Sequence, residues 1–144
     1  MIVIDTNVLS EFACQMPEPA VVSWLSDQNS STLCTTSITE AELLAGIALL
    51  PAGRRRAELE MFAAATLQRF ESRILPFDRE AAREYPGIVA ARRAVGLSTG
   101  GADCQIAAIA RVYGASIATR NVRDFRHCGV DIINPWATPA KQKP

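Results

Sequence analysis

Short apolar runs rich in β-branched residues alternate along this chain with longer segments in which apolar positions recur at helical spacing. The run Ile-Val-Ile at 2–4 is too short and too branched for a helix and is typical of a buried strand. The segment 99–113 instead repeats its apolar residues three and four positions apart, as a helix does. The pattern predicts strands at 2–4, 32–35, 74–77, 116–118 and 131–133, helices at 7–12, 19–27, 38–50, 54–70 and 99–113, and a further helix capped by Asp78.

Proline and glycine mark where several of these elements end. Pro-Ala-Gly at 51–53 ends the helix 38–50, and Gly114 ends the helix 99–113. Within the helix that follows Asp78, Tyr-Pro-Gly at 85–87 predicts a kink or a division, because proline lacks the N–H that a helix interior uses.

Strands that alternate with helices favour right-handed crossovers and a parallel sheet covered by helices on both faces. We therefore predict an α/β protein with three α/β/α layers around a central parallel sheet of four to five strands. The 144 residues fit a single domain, which we assign to 1–136. The tail 137–144 contains two Lys and two Pro and is expected to be disordered.

Composition narrows the functional classes. Lys and Arg together number 15, as do Asp and Glu, so no global positive field attracts nucleic acid and any such contact must be local. The four cysteines lack the close pairs of a zinc site and are expected to be reduced, buried thiols. No apolar segment reaches the roughly 20 residues of a membrane span, and the chain begins on a strand pattern rather than a charged leader, which predicts a cytoplasmic protein.

Polar residues collect where the predicted strands end. Asp5 follows the first strand directly, and the segment 119–124, which reads Thr-Arg-Asn-Val-Arg-Asp, follows the fourth in the same way. Glu42 is placed in the first turn of the helix after the second strand, and Asp103 in the first turn of the helix 99–113. Ligands of open parallel sheets bind beyond the carboxyl ends of the strands. These side chains are therefore expected to converge on one pocket.

Each acid also has an ordinary structural explanation. Asp5 fits an Asx turn or a helix cap, and Asp103 fits the positive end of its own helix. Glu42 closes a Thr-Glu-Ala-Glu capping box, but Ser37 and Glu40 form an overlapping box that would leave Glu42 free for another role.

The shared location of the acids favours a metal site over separate structural roles. Carboxylates crowded in a partly buried pocket raise each other's pKa unless a cation neutralises them. Oxygen ligands without a nearby histidine point to a hard ion, so we expect Mg²⁺ or Mn²⁺. Such an ion activates water and polarises a phosphoryl oxygen, which implies phosphodiester hydrolysis.

Five ordered blocks resemble the PIN-domain family and are especially similar to the VapC-type ribonuclease toxins of bacterial toxin–antitoxin pairs. By that resemblance the family's acidic constellation falls on Asp5, Glu42 and Asp103, with a fourth member at Asn121 or Asp124. Some family members carry an acid where Asn121 stands, whereas others have Asn there and an acid three residues later. The blocks span most of the chain and read VIDTNVLSE, ITEAELLAGI, ADCQIAAIA, IATRNVRDF and INPW.

The resemblance implies a Mg²⁺-dependent endoribonuclease that is neutralised by a cognate antitoxin and forms a homodimer. Asp5 and Asp103 would hold the metal most directly, and Glu42 would complete the shell and orient or deprotonate the attacking water. Hydrogen bonds to these carboxylates or to a metal-bound water are expected from Thr6 and Thr119. Candidate phosphate contacts are Arg120 and Arg123.

Three other functions stay open at this stage. A phosphatase of the haloacid-dehalogenase type also begins with an Asp after its first strand, but it needs a second Asp where this chain has Asn7. A catalytically silent module could use the acidic pocket only to dock basic residues of a partner. A metal-dependent nuclease directed at DNA would carry the same residues.

Overall fold

The computed structural model describes residues 1–137, so the predicted tail lies outside the described residues except for Ala137. Strands and helices alternate through most of this range, as the sequence pattern predicts. The strands are β1 (Ile2–Ile4), β2 (Leu33–Thr36), β3 (Ile74–Leu75), β4 (Ser116–Ala118) and β5 (Ile132–Ile133). The helices are α1 (Thr6–Glu11), α2 (Pro19–Ser26), α3 (Ser37–Ala48), α4 (Arg54–Phe70), α5 (Arg79–Ala94) and α6 (Ala102–Val112), with 3₁₀ turns at Ser30–Thr32, Glu71–Arg73 and Val122–Phe125.

The five strands form one parallel sheet in the order β3-β2-β1-β4-β5. The first strand of the chain is therefore central, with β2 on one side and β4 on the other. Its register pairs Ile2 with Leu33 and, on the opposite side, Ile4 with Ala118. The chain winds outward from β1 in both directions, so a crevice opens between the carboxyl ends of β1 and β4.

Alternate residues of the strands supply two separate cores, one on each face of the sheet. Val3, Cys34 and Ile117 pack with residues of α5 and α6 on one face. Ile4 and Ala118 pack with residues of α1 and α2 on the other face. This alternation confirms the three-layer α/β/α architecture, because each layer of helices buries its apolar side against the sheet.

The predicted division of α5 at Pro86 is wrong, since α5 is one helix from Arg79 to Ala94. Proline in a helix interior removes a hydrogen bond and costs about 3 kcal/mol. The same helix buries Ile88 completely and Arg92 almost completely, and this packing holds the helix together across the proline.

Most predicted boundaries differ from the observed ones by one to three residues, and two of these differences bear on the polar residues at the strand ends. Helix α6 begins at Ala102 rather than at 99, because Gly101 precedes it with a φ of 90°, in the region that favours glycine. Helix α3 is capped by Thr36, whose hydroxyl accepts from the Thr39 amide, so neither proposed capping box forms. Glu42 consequently lies in the second turn of α3 and not in the first.

Smaller expectations have mixed outcomes. Asp78 is confirmed as the cap of α5, and its carboxylate accepts from the amides of Glu80 and Ala81. All four cysteines are free thiols, but Cys14 is exposed, while Cys34, Cys104 and Cys128 are buried as expected. Within residues 1–137, no helix combines the length and apolar character that crossing a bilayer requires.

Candidate active site

Asp5 stands at the point where β1 passes into α1. Its backbone amide donates to the carbonyl of Ala118 at 3.1 Å, which continues the pairing of β1 with β4 by one residue. Its carboxylate Oδ1 then accepts the Thr6 amide at 2.8 Å, which makes Asp5 the N-cap of α1. Asp5 is therefore confirmed as a helix cap, and it also lines the cleft described below.

The second carboxylate oxygen of Asp5 is held by one donor from α1 and by one from the residue that follows β4. Oδ2 accepts the Asn7 side-chain amide at 2.8 Å and the Thr119 hydroxyl at 2.7 Å. A carboxylate offers about four lone-pair positions, two on each oxygen. The three hydrogen bonds therefore saturate Oδ2 and leave one acceptor position on Oδ1. Thr119 is fully buried, so it acts on Asp5 and is shielded from solvent.

Asn7 links the ends of β1 and β4. Its amide nitrogen also contacts the Thr119 hydroxyl at 3.1 Å, and its carbonyl oxygen accepts the backbone amide of Arg120 at 3.0 Å. The Thr119 hydroxyl in turn accepts the amide of Asn121 at 3.0 Å. The turn after β4 is thereby fastened to Asp5 and Asn7.

Glu42 reaches the same cleft from α3. Its Oε2 accepts the Thr6 hydroxyl at 3.0 Å. Partial burial raises the pKa of Glu42, the Thr6 hydrogen bond lowers it, and the nearby charge of Asp5 raises it further. The predicted hydrogen bonds from Thr6 and Thr119 to the carboxylates are thus both present.

Asp103 approaches from the first turn of α6. No hydrogen-bond donor in residues 1–137 reaches its half-buried carboxylate. Burial raises its pKa to about 6, with further contributions from the charges of Asp124, Asp5 and Glu42, and Arg92 opposes the shift. Asp103 is therefore the acid in this cleft that most needs a proton or a cation.

The two candidates for the fourth position occupy different places. Asn121 lines the cleft together with Asp5, Glu42 and Asp103. Asp124 lies in the 3₁₀ turn behind this lining, and its charge raises the pKa of both Asp103 and Asp5. Asn121 thus presents a neutral side chain to the cleft, whereas Asp124 acts on the acids of the cleft through its charge without lining it.

The cleft that these residues form has a volume of about 380 Å³. Burial raises the pKa of Asp5 as well, although its three hydrogen bonds oppose the shift. Within the described part of the chain, no three His, Cys, Asp or Glu side chains are arranged so that they could hold one ion jointly. A cation here would accordingly be bound by one or two carboxylates and by water.

The two arginines proposed for phosphate binding lie outside the lining of the cleft. The Arg120 guanidinium lies 5.2 Å from the ring centroid of Trp136, over its face, in a cation–π contact. Arg123 is exposed on the 3₁₀ turn. Arg120 lies next to the cleft, since its backbone amide donates to the Asn7 side chain that lines it, whereas Arg123 has only its exposed position two residues after Asn121.

Sequence reasoning missed two residues of the cleft lining, Asn7 and Ser10. Asn7 follows Asp5 by two positions, and the same Asp-Thr-Asn pattern that identified Asp5 could have identified it. Ser10 lies one helical turn after Thr6 on α1, so the helical period carries a signal for this residue too.

A parallel sheet in the order found here, with an acidic cleft at its central crevice, defines the class of protein. The model of the PIN domain matches residues 2–130 of this chain. The chain therefore belongs to the PIN-domain family.

Within that family the chain is similar to toxins. It is 42% identical over 137 residues to the VapC ribonuclease Y4jK of Sinorhizobium fredii, covering 94% of this chain and 98% of that protein. It is 37% identical to the toxin FitB of Neisseria gonorrhoeae, covering 94% of this chain and 99% of that protein. Its fold matches a chain in the structure of FitAB bound to the IR36 DNA fragment with a TM-score of 0.88 and 35% identity, covering 99% of this chain and 100% of that one.

Proposed function

We propose that this protein is the toxin of a toxin–antitoxin pair and that it acts as a Mg²⁺-dependent endoribonuclease, with Mn²⁺ as an alternative ion. The observation that carries the proposal is the convergence of Asp5, Glu42 and Asp103 on one cleft, into whose lining no basic side chain of residues 1–137 enters. The similarity to a VapC ribonuclease and to the toxin FitB supports the same activity class.

The donor set of the cleft fits a hard divalent cation. Asp5 keeps one acceptor position on Oδ1, and Asp103 has a carboxylate that no donor of the described residues reaches. Mg²⁺ is usually held by one or two carboxylates and keeps several waters, so these two residues suffice as direct ligands. When bound, the ion would lower the pKa of water and stabilise negative charge on the phosphoryl group.

The chain's own residues divide the remaining work. Thr119 and Asn7 fix the Asp5 carboxylate, so that its free acceptor position keeps one orientation. Glu42, oriented by the Thr6 hydroxyl, is placed to accept a proton from the attacking water. Its raised pKa brings it closer to the range in which a carboxylate works as a general base.

The phosphate of the substrate would be drawn to the rim rather than into the cleft. Arg120 and Arg123 supply local positive charge beside the acids, which the neutral net charge of the chain does not provide. Asn121 lines the cleft and is available to hydrogen-bond the substrate or a water.

An apolar groove continues from the acidic cleft and is our proposed antitoxin site. The two share Thr6, Ser10 and Glu42, and the groove runs on between α1, α3 and α4 over Leu43, Gly46, Ile47, Leu50, Leu59 and Phe62. A partner segment with apolar side chains would fill this groove and could place a guanidinium against the carboxylates beyond it. An arginine bridges carboxylates bidentately and would oppose cation binding at the same oxygens.

The test is cleavage of a labelled single-stranded RNA by the purified protein, in EDTA and with added Mg²⁺ or Mn²⁺. We expect cleavage only with the ion, loss of cleavage in Asp5→Asn, and normal cleavage in Asp131→Asn, whose carboxylate is exposed and outside the cleft. A matched DNA oligonucleotide distinguishes the DNA-directed alternative. Cation binding without cleavage of either substrate would favour the silent binding module.

A further inference from the structure

A buried arginine lies behind the acidic cleft. Arg92 projects from α5 and is only 4% exposed. Within residues 1–137 no carboxylate oxygen lies within ion-pair distance of its guanidinium. Burying an unpaired charge costs several kcal/mol unless other polar groups compensate it. The buried Arg92 guanidinium must therefore be compensated by other polar groups.

The guanidinium compensates its charge with backbone carbonyls from two separate segments. Nε donates to the carbonyl of Ser98 at 2.7 Å. Nη1 donates to the carbonyls of Asp124 and Arg126, each at 2.7 Å. One side chain therefore joins the segment that leads into α6 to the 3₁₀ turn that follows β4.

These two segments carry acids of the cleft. The first ends at Gly101 and delivers Asp103 in the first turn of α6, and the second contains Asp124 itself. The segment between α5 and α6 includes Gly96 and Gly101, both with positive φ, and it has no sheet pairing to fix it. The distance between the two acids therefore depends on what ties the segments together.

We propose that Arg92 is a positioning residue that sets the separation of Asp103 and Asp124 for cation binding. The inference rests on the proposed function in that the cation is the one required for cleavage. The planar fork of the guanidinium directs its donors to both segments at once, whereas a lysine is a point donor and cannot reproduce that geometry. The positive charge of Arg92 opposes cation binding nearby, but this effect is offset because Arg92 holds the two acid-bearing segments in place.

A second arginine, Arg73, which is partly buried, provides a control because it makes the same type of contact far from the cleft. Arg73 also donates to backbone carbonyls of separate segments, those of Ser30, Leu33 and Arg69. These contacts lie at the amino end of β2, the opposite edge of the sheet from the cleft. Arg73→Lys should therefore lower stability through the same kind of lost hydrogen bonds and leave the cleft unchanged.

The experiment measures Mn²⁺ affinity of the purified full chain by calorimetry or electron paramagnetic resonance, with thermal unfolding in EDTA as the fold control. We expect Arg92→Lys to weaken Mn²⁺ binding by about 10–100-fold, the range found when supporting residues of metal sites are changed. The Mn²⁺ affinity of Arg73→Lys should stay within about twofold of the wild-type affinity, well below the 10–100-fold effect of a changed supporting residue. Wild-type affinity in folded Arg92→Lys, or equal weakening in both variants, would overturn the proposal.

A double-mutant cycle separates positioning from a general loss of structure. If Arg92 acts by placing Asp124, Arg92→Lys should weaken Mn²⁺ binding much less in the Asp124→Asn background than in wild type. Full additivity of the two effects contradicts the proposal. The measurement is independent of RNA: a wild-type protein that binds Mn²⁺ but cleaves nothing would refute the nuclease function, and the cycle would still decide the role of Arg92.

Hydrogen exchange keeps the test decisive if Arg92→Lys does not fold. In wild type, Mn²⁺ should slow exchange of amides in 96–101 and 122–126 together, because the guanidinium couples these segments. Amides around Leu33, beside Arg73, should show no change. Slowing of only one of the two segments would overturn the proposal.

Discussion

The Thr119 hydroxyl donates a 2.7 Å hydrogen bond to Oδ2 of Asp5, although 114 positions separate the two residues in the chain. The contact exists because β1 and β4 are neighbours in the sheet and both end at the same edge. It fixes the carboxylate that begins the candidate site, and it lowers the pKa of Asp5 against the effect of burial.

Thr119→Val should remove this hydrogen bond with little change of volume. The buried Asp5 carboxylate loses a donor, so we expect a loss of about 1–3 kcal/mol in the free energy of unfolding at pH 7. The pKa of Asp5 should rise, and RNA cleavage at neutral pH should fall about tenfold or more. Denaturant unfolding and cleavage rates measure these effects. Thr119→Ser keeps the hydroxyl and should restore most of both, and a Val variant with wild-type cleavage would contradict the positioning role.

Asp103→Asn should stabilise the metal-free protein at neutral pH. The pKa of Asp103 is raised from 3.8 to about 6 in the folded chain, so its favourable contribution is complete below pH 3.8 and is lost as the pH rises through 6. Because the group is only half-buried, we expect a gain of the order of 1 kcal/mol for Asp103→Asn at pH 7.5 relative to pH 4.5.

Unfolding in EDTA at the two pH values measures this difference between the variant and wild type. Asp131→Asn, whose carboxylate is exposed and outside the cleft, is the matched control. The same Asp103→Asn protein should lose RNA cleavage by at least about 100-fold, since a direct ligand is removed. A variant that is less stable than wild type at pH 7.5 would refute the electrostatic account.

Asp124→Ala should lower cleavage more than Asn121→Ala. Asp124 contributes a charge that acts on both Asp5 and Asp103, whereas Asn121 contributes a neutral amide to the lining. Removing a charge from the surroundings of a cation costs more than removing an amide. Cleavage rates over a series of Mg²⁺ concentrations measure the order. The reverse order would assign the fourth position to Asn121.

Gly46→Phe should block antitoxin binding and leave RNA cleavage intact. Gly46 lines the apolar groove on α3, and a Cβ there meets no atom within 4 Å, so the fold has room for a side chain. The ring would fill the groove, and we expect antitoxin affinity to fall about tenfold or more, equivalent to about 1.4 kcal/mol. Gly87→Phe on α5 is the matched control, with equally open space away from the groove. Unchanged antitoxin affinity in Gly46→Phe would place the partner elsewhere.

The proposed homodimer should be visible by light scattering of the purified protein. Leu49 is 87% exposed and Met61 is 75% exposed, so α3 and α4 present apolar side chains to solvent. A second copy of the chain would cover such exposed apolar side chains. Leu49→Glu combined with Met61→Glu should shift the measured mass to that of a monomer. A wild-type protein that remains monomeric at high concentration and binds no co-encoded partner contradicts both uses of this surface.

The sequence predicted the layers and the strands because apolar periodicity is a local signal. Three apolar residues, Ile2 to Ile4, are enough to predict a strand. The next residue, Asp5, is then predicted to lie directly after the strand ends. The sequence predicted that the strands share one carboxyl edge. It did not predict their order in the sheet, since no local pattern indicates that β1 lies between β2 and β4. The division predicted at Pro86 does not occur, for the related reason that tertiary burial of Ile88 and Arg92 overrides the local preference of proline.

Some residues of the candidate site could be predicted from local sequence patterns and others could not. Asp5 and Asp103 were identifiable because each is an acid at a predictable place in an element, whereas Glu42 was identified as an acid of α3 although its place in the second turn was not predicted. Arg92 was not, because the carbonyls to which it donates lie 6 to 34 positions away and carry no residue-type signal. A side chain that donates to backbone carbonyls does not require any particular residue type at those positions. Only the folded structure therefore shows the contact.

The central place of β1 in the sheet has a consequence for synthesis. The ribosome makes β1 and Asp5 before the other four strands, and β4, which flanks β1 on one side, is made more than a hundred residues after it. Nascent chains grow at roughly 5–20 residues per second, so several seconds pass before Thr119 can reach Asp5. Throughout that interval the nascent chain lacks one wall of its cleft. A partner already present in the cell can therefore meet this protein at or before the moment its acidic cleft is completed.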